Sequence, residues 1–364
     1  MADGKLFVIT GARGVGKTTL AATFAPPSEV GSVYYHDSEN SANNITRQMA
    51  AAGLSFGRYV NLLDRFTNLP GDSDLLNRIS KGKLPWVTPE QRRSLAEYYS
   101  WVLSDLDKNL TPGKYKVYIH DTLEKFEAGM AAWVELNKAA AGVSKLAYGG
   151  LWTDGFNPLY SEFMSALYAR GVETVILVSH LKTPWEGSQP IVGKVVPSGK
   201  RLLYQLSSLF LWLVNEPKNA DGAPAALVLK ERLGRLEPAG DNVWAMRQML
   251  PKRIPVATWE RINEYLTEGC DLANPAPGEV MSQGERDMIS ELVTDEQMRL
   301  MVLSTEKELV ELRRETAPVI SVREIDPAID QGVARAMLSE GLSVEEIAEK
   351  LDKPVLLVQR WLNL

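Results

Sequence analysis

The chain has 364 residues, 45% apolar and 24% charged. These are ordinary globular proportions, enough for a sizeable core and for two or three domains at roughly 150 residues each. The single cysteine, Cys270, excludes an internal disulfide framework and fits a reducing compartment. The net charge of −6 is uneven, with −9 falling on Asp271 to Leu364 and +3 on the rest. The first part can therefore meet a polyanion, whereas the tail as a whole repels one. No run reaches the ~18 apolar residues of a membrane span. The opening Met-Ala-Asp-Gly-Lys has neither the length nor the cleavage site of a signal peptide, so a cytoplasmic protein is expected.

Up to about residue 235, strand-like and helix-like patterns alternate, which predicts an α/β domain with a mostly parallel sheet. The expected strands are Leu6–Thr10, Val33–His36, Lys116–His120, Thr174–Ser179, Ser208–Val214 and Ala226–Lys230. Several are near-continuous apolar runs, the pattern of strands covered on both faces. Helices are expected to start at Lys17, around Ala42, at Pro89 and around Pro158. Thr88 reads as an N-cap with Pro89 at the first helical position.

Immediately after the first strand, Gly11-Ala12-Arg13-Gly14-Val15-Gly16-Lys17-Thr18 matches G-x-x-x-x-G-K-[ST] in full. Thr19 then opens a helix and belongs to the same nucleotide-binding set. Glycines let backbone N–H groups turn inward around phosphate oxygens, and the helix N-terminus adds favourable partial charge. Lys17 is expected on the β- and γ-phosphates, with the Thr18 hydroxyl on Mg²⁺. A strand before and a helix after make a chance match untenable, so ATP or a related nucleotide with Mg²⁺ is the expected cofactor.

Hydrolysis needs carboxylates as well. Glu39 lies just past the second strand, in Tyr34-Tyr35-His36-Asp37-Ser38-Glu39-Asn40, where it can polarise the attacking water. Asp37 is the rival on the same edge, with a supporting or capping role as its other reading. Two long segments then intervene, Asn61 to Pro112 and Leu123 to Gly171. Both carry tryptophans (Trp86, Trp101, Trp133, Trp152) and read as helical insertions with their own packing. Between them Asp121 ends a strand at its C-terminal edge, where ligands sit in open α/β sheets. It is the Walker-B candidate for the Mg²⁺ shell, with helix capping as the alternative. His180 ends the strand Val175-Ile176-Leu177-Val178-Ser179 and is placed to touch the γ-phosphate; a core histidine is the blander reading. His36 and His120 also lie at strand ends, but no Cys/His spacing of the zinc type is present.

Residues 271–281 have a linker composition, and residues 282–364 read as a small α-helical C-terminal region. Residues 330–364 form a helix-turn-helix-like end, with Ser343 as an N-cap and Glu346 completing a capping box. Its second helix offers few base-reading side chains in acidic surroundings. A protein-docking or oligomerisation module is therefore expected.

The order of these motifs resembles the RecA-like P-loop ATPase core, and is most similar to phage-encoded nucleotide-binding proteins linked to single-strand annealing recombination. The likeness covers roughly Lys5 to Pro238, giving residues 1–270 as the ATPase core. "YYHDSEN" resembles the strand ending in the catalytic glutamate, at Glu39. "VYIHDT" resembles the Walker-B strand, at Asp121, and "VILVSH" the strand ending in a γ-phosphate sensor, at His180. "VLKERLGRL" resembles the late strand whose basic residues reach the neighbouring subunit's ATP site, at Lys230 and Arg232. That role implies a ring or filament of identical chains; protective charge on an edge strand is the alternative.

The resemblance also implies that the segment 181–206 contacts single-stranded DNA. It holds Lys182, Lys194, Lys200 and Arg201 against Glu186, and Trp185 could stack on a base. A solvated loop, or one that meets a neighbouring subunit, is the other reading. The expected function is a DNA-stimulated ATPase in phage-type recombination, repair or replication. A hexameric helicase or packaging motor, and a nucleotide-gated adaptor recruiting a protein partner, are the alternatives.

Overall fold

The computed structural model describes residues 4–66, 69–70, 88–137, 157–182, 206–214, 222–233, 249–271 and 274–292. It also describes short strands at 185–186, 189–190, 196–197, 235–240 and 243–247, and the positions 338, 343–344, 346 and 362. Five parallel strands carry the site: β1 (Lys5–Gly11), β2 (Val33–Asp37), β3 (Arg58–Asn61), β4 (Val117–Asp121) and β5 (Thr174–Lys182). Short pieces follow at β6 (Trp185–Glu186), β7 (Gln189–Pro190) and β8 (Val196–Pro197), then β9 (Leu209–Val214) and β10 (Ala225–Glu231). A hairpin, β11 (Arg235–Gly240) with β12 (Val243–Arg247), precedes β13 (Arg253–Ile254).

The main sheet is nine-stranded, in the order β13-β10-β9-β1-β5-β4-β2-β3 with β8 beside β5. From β9 to β3 every pairing is parallel, while β10 and β13 add antiparallel strands at one side. This is a mostly parallel α/β sheet of RecA-like P-loop design, with β5 between β1 and β4. The first seven residues of β5 are all buried, as are all five of β2 and of β4. Hence their sequences read as continuous apolar runs rather than alternation.

The helices are α1 (Lys17–Ala22), α2 (Asn43–Ala51), α3 (Pro89–Asn109), α4 (Leu123–Leu136), α5 (Asn157–Ala169), α6 (Trp259–Glu268) and α7 (Gln283–Leu292). The α3 start is a capping box: Gln91 N–H donates to Thr88 Oγ1 at 3.2 Å, and Thr88 N–H to Gln91 Oε1 at 3.1 Å. The segments expected as helical insertions hold helices; Leu95 and Ala96 of α3 form a small cluster of their own with Ala128, Ala131 and Ala132 of α4, and the helices also join the main core. Val102 and Leu106 of α3, Phe126 and Met130 of α4, and Tyr160 and Phe163 of α5 share one buried cluster with Leu6 and Val8 of β1. They are crossover helices of the main core, and α3 and α4 approach closely at Gly129, where a Cβ would lie 2.7 Å from the Leu95 carbonyl. Trp86 and Trp152 lie outside the described residues.

The described part of the stretch 271–281 is packed. Met281 is buried in the core, Arg253 Nη1 donates to the Gly278 carbonyl at 2.6 Å, and Tyr265 OH donates to Glu279 Oε1 at 2.5 Å. A connection of linker composition is thus tied to β13 and α6. Ile289 of α7 is also in the core, and Arg253 Nε meets Glu285 Oε1 at 3.1 Å.

One face of β2 and β4 carries a buried polar chain. His36 lies 3.0 Å from Asp105 Oδ2 and 3.0 Å from Tyr118 OH; Tyr118 OH lies 2.8 Å from His120 Nδ1; Tyr98 OH lies 3.0 Å from His120 Nε2. Arg58, Tyr34 and Asn109 converge on the same Asp105. A charged Asp105 fixes the direction: His36 donates through Nε2 and accepts at Nδ1 from Tyr118, which accepts from His120, which accepts from Tyr98. Burial holds both imidazoles below their usual value. His36 and His120 are therefore structural, and among the described residues no His/Cys/Asp/Glu group could hold a metal ion by itself.

Residues 235–247 and 304–364 form a second compact unit. Its described parts are the β11–β12 hairpin and the expected capping box, in which Ser343 N–H and Oγ–H both donate to Glu346 Oε2 at 2.8 Å. Among the described residues no helix is long and apolar enough to cross a membrane.

Candidate nucleotide site

The loop Ala12–Gly16 joins β1 to α1 at the C-terminal edge of the parallel strands. Gly14 (φ 74°) and Gly16 (φ 98°) take left-handed conformations that a side chain would strain. Gly16 is the N-cap of α1 and offers no side-chain cap. The first-turn N–H groups, those of Lys17, Thr18 and Thr19, thus remain available to an anion. Lys17 is buried and folds back on its own loop, donating to the Gly11 carbonyl at 3.1 Å and the Ala12 carbonyl at 2.7 Å. Burial lowers its pKa, against the opposing pull of Asp121, Glu124 and Glu39.

Asp121 ends β4 beside Asp37 of β2 in register. Its Oδ2 accepts three hydrogen bonds: from Thr18 Oγ1 at 2.7 Å, Ser41 Oγ at 2.8 Å and Tyr35 OH at 3.0 Å. Its Oδ1 is buried with no hydrogen-bond partner. Burial pushes the carboxyl up to about 6; the charges of Asp37 and Glu39 add to this, and the Thr18 and Ser41 hydrogen bonds oppose it. A buried carboxylate with one orphaned oxygen, linked to the phosphate-loop hydroxyl, fits a divalent cation. None of these bonds caps α4.

Asp37 has a different occupation. Oδ1 accepts the N–H groups of Glu39 at 3.0 Å and Ser41 at 3.1 Å, and Oδ2 accepts the Ala42 N–H and the Tyr59 hydroxyl, each at 2.8 Å. It shapes the loop after β2. Glu39 is left with its carboxylate partly open, its Oε1 2.8 Å from His180 Nε2. Burial disfavours a charged His180. The Glu39 hydrogen bond and the charges of Glu124 and Glu39 outweigh burial and raise its pKa. The other nitrogen, Nδ1, is buried without a hydrogen-bond partner.

Several contributors escape the sequence reading. Ser41 and Tyr35 complete the Asp121 shell. Glu124 accepts the His180 backbone N–H at 2.7 Å, and Lys125 donates to the Ser38 carbonyl at 2.7 Å. The available signal is a pair of charges in the first turn of α4, set between the apolar Leu123 and Phe126.

Lys230, within β10, is buried, whereas Arg232, one residue past the end of that strand, is exposed. Burial lowers the Lys230 ammonium to about 8, with Arg232 adding to the effect. Lys182 is partly buried, and desolvation lowers its pKa against the opposing charges of Glu127 and Glu124. The side chains of Trp185, Lys194, Lys200 and Arg201 lie outside the described residues.

Comparison with known proteins gives a family match and distant structural likenesses. A KaiC-like protein from the archaeon Pyrococcus horikoshii is 17% identical, covering 70% of this chain and 90% of its own, with a TM-score of 0.30. The flagellar accessory protein FlaH from Methanocaldococcus jannaschii is 13% identical, covering 67% and 90%, also with a TM-score of 0.30. Likenesses this loose carry no argument; the sheet order and site geometry stand without them. None of the curated proteins matches the chain. A family model described as an AAA domain matches residues 3–199, which include the phosphate loop, Glu39, Asp121 and His180. With more than half of its length inside that match, the chain belongs to the AAA domain family of P-loop ATPases.

Proposed function

We propose that the chain hydrolyses ATP with Mg²⁺ and couples turnover to its grip on single-stranded DNA, as a head-to-tail homo-oligomer in recombination, repair or replication. One observation carries the hydrolytic reading: Lys17, the Thr18–Asp121 bond of 2.7 Å and the Glu39–His180 contact of 2.8 Å converge at one sheet edge.

Lys17 must leave the Gly11 and Ala12 carbonyls to neutralise the β- and γ-phosphates. Thr18 and Asp121 would hold Mg²⁺, which when bound supplies Lewis-acid neutralisation of developing charge. Because Thr18 donates its proton to Asp121, its oxygen lone pairs are left for the cation. Glu39 accepts the proton of the water that attacks the γ-phosphorus as the bond to the ADP oxygen breaks. Before that, Glu39 Oε1 is engaged by His180 Nε2. A protonated His180 carries a second N–H at Nδ1, which lacks an acceptor among the described residues, a valence that suits a phosphate oxygen. His180 can thereby report γ-phosphate loss to the segment that begins at the next residue.

Assembly is supported by position. β10 runs antiparallel to β9, so Lys230 pairs with Phe210 at the start of β9, whereas Gly11 pairs with Leu213 near its end. Arg232 therefore lies at the opposite sheet edge from its own phosphate loop, where a residue acting on a neighbour belongs when copies stack head to tail. The DNA reading is supported by the basic balance of segment 181–206 and its likeness to the RecA-type loop.

The test is ATP hydrolysis at low salt with no DNA, single-stranded DNA and duplex DNA, repeated with Lys17→Ala. Stimulation by single strands, absent in the variant, is expected. Unstimulated turnover with no shift in DNA mobility would overturn the DNA reading, and no Mg²⁺-dependent turnover at all would overturn the enzyme.

A further inference from the structure

The Glu39–His180 pair is enclosed in a circuit of contacts that the mechanism above leaves unused. Glu39 Oε1 meets His180 Nε2 at 2.8 Å, and the His180 backbone N–H donates to Glu124 Oε1 at 2.7 Å. The next residue, Lys125, donates through Nζ to the Ser38 carbonyl at 2.7 Å, and Ser38 is joined covalently to Glu39. Ser38 is gripped twice more: its N–H donates to the Asp121 carbonyl at 2.5 Å, and its hydroxyl accepts the Thr122 N–H at 2.7 Å.

Glu124 and Lys125 lie in the first turn of α4 and are both buried. Charged side chains seldom stay out of water unless hydrogen-bonded groups receive them. Glu124 receives a bond from the backbone of β5 at His180, and Lys125 donates one to the backbone of the loop that carries Glu39. Adjacent helix residues do not face each other, so one turn can reach both a strand end and a loop. The Glu124 charge also acts on both Lys17 and His180.

From this circuit we infer that Glu124 and Lys125 are positioning residues, which hold the Glu39 loop and the end of β5 at His180 at a set spacing so that base and sensor move as one. The inference rests on the reading of Glu39 and His180 as base and sensor. The contacts themselves do not depend on it.

The test follows the His180 imidazole by NMR against pH in the full chain without nucleotide. Charged groups face it from three elements: Glu39 from the loop after β2, Glu124 from α4 and Lys17 from α1. In Glu124→Gln the amide oxygen still accepts the His180 N–H but the charge is gone, so the titration moves to lower pH. In Lys125→Met the Ser38–Glu39 loop is released and the titration moves the same way; Lys125→Arg restores it. Circular dichroism confirms the fold of each variant. An unchanged titration in both Glu124→Gln and Lys125→Met overturns the inference. In ATP turnover, both variants are expected to lose about 10- to 100-fold in kcat, as misplaced catalytic groups do, with little change in KM. A shifted titration with parental kcat leaves the clamp standing and removes Glu39 and His180 from the chemistry.

Discussion

Asp121→Asn separates the energetic role of this carboxylate from the Mg²⁺-holding role proposed for it. In the wild-type chain burial lifts this carboxyl from 3.8 to about 6. At ~1.36 kcal/mol per pH unit, the charged form therefore costs the fold about 3 kcal/mol above pH 6. The sign is opposite to that of an ordinary salt-bridged aspartate. Because the folded value is raised, the stabilisation is fully present below the unfolded value and is lost as pH rises through about 6. Asparagine removes the titration. Its oxygen can keep the bonds from Thr18, Ser41 and Tyr35, but its NH₂ enters the buried Oδ1 position, where an unmatched donor costs about 1–3 kcal/mol. At pH 7.5 the variant is therefore expected to equal or exceed the parent in stability. The cleaner quantity is the change between pH 5 and pH 7.5, in which the amide cost cancels. Linkage predicts that the variant gains about 1 kcal/mol on the parent over that interval. Urea denaturation at both pH values measures it, while Mg²⁺-dependent turnover falls about 100-fold or more, as expected when a charge-stabilising group is lost. A gap that stays constant, or moves in the parent's favour, would refute the reasoning.

Three more outcomes follow from named contacts. Lys17→Ala removes the ammonium now held by Gly11 and Ala12; calorimetry should show ATP affinity reduced at least ~10-fold and assays little turnover. Gly129→Ala places a Cβ 2.7 Å from the Leu95 carbonyl and 3.1 Å from Tyr98 Cδ1, so α3 and α4 must separate; a loss of about 1–3 kcal/mol by urea denaturation is expected. Burial would raise the Asp105 carboxyl, but hydrogen bonds from His36, Arg58 and Tyr34 outweigh it and hold the group well below the usual carboxylate range. That stabilisation is present above the ordinary aspartate value and fades as pH falls through it. Asp105→Asn should therefore cost about 2–4 kcal/mol at pH 7, with the gap from the parent narrowing below about pH 4.

The parallel sheet was legible because β2, β4 and β5 are buried on both faces, which leaves uninterrupted apolar runs ending in polar residues at one edge. Those terminal residues, Glu39, Asp121 and His180, could be picked out by position. The edge strand β3 escaped because its four half-buried residues, Arg-Tyr-Val-Asn, carry no periodic signal. The packing of the long segments between strands was not legible, because sequence shows length and not contact: Phe126, Tyr160 and Phe163 join one cluster with β1, while Leu95 and Ala128 belong to a smaller one between α3 and α4. Lys230 and Arg232 share one role in the resemblance but differ in burial, because β10 ends at Glu231 and Arg232 lies past it. Glu124 and Lys125 resembled any solvated first turn, since the loops they reach are distant in the chain.

The central claim, that Glu39 takes the proton of the attacking water, is tested most directly by single-turnover hydrolysis in Glu39→Gln. The substitution keeps an oxygen for His180 and removes the base. The account predicts a hydrolysis rate lowered about 10²- to 10⁴-fold, with ATP affinity unchanged within about threefold, since no phosphate contact is assigned to Glu39. Hydrolysis at the parental rate would contradict it.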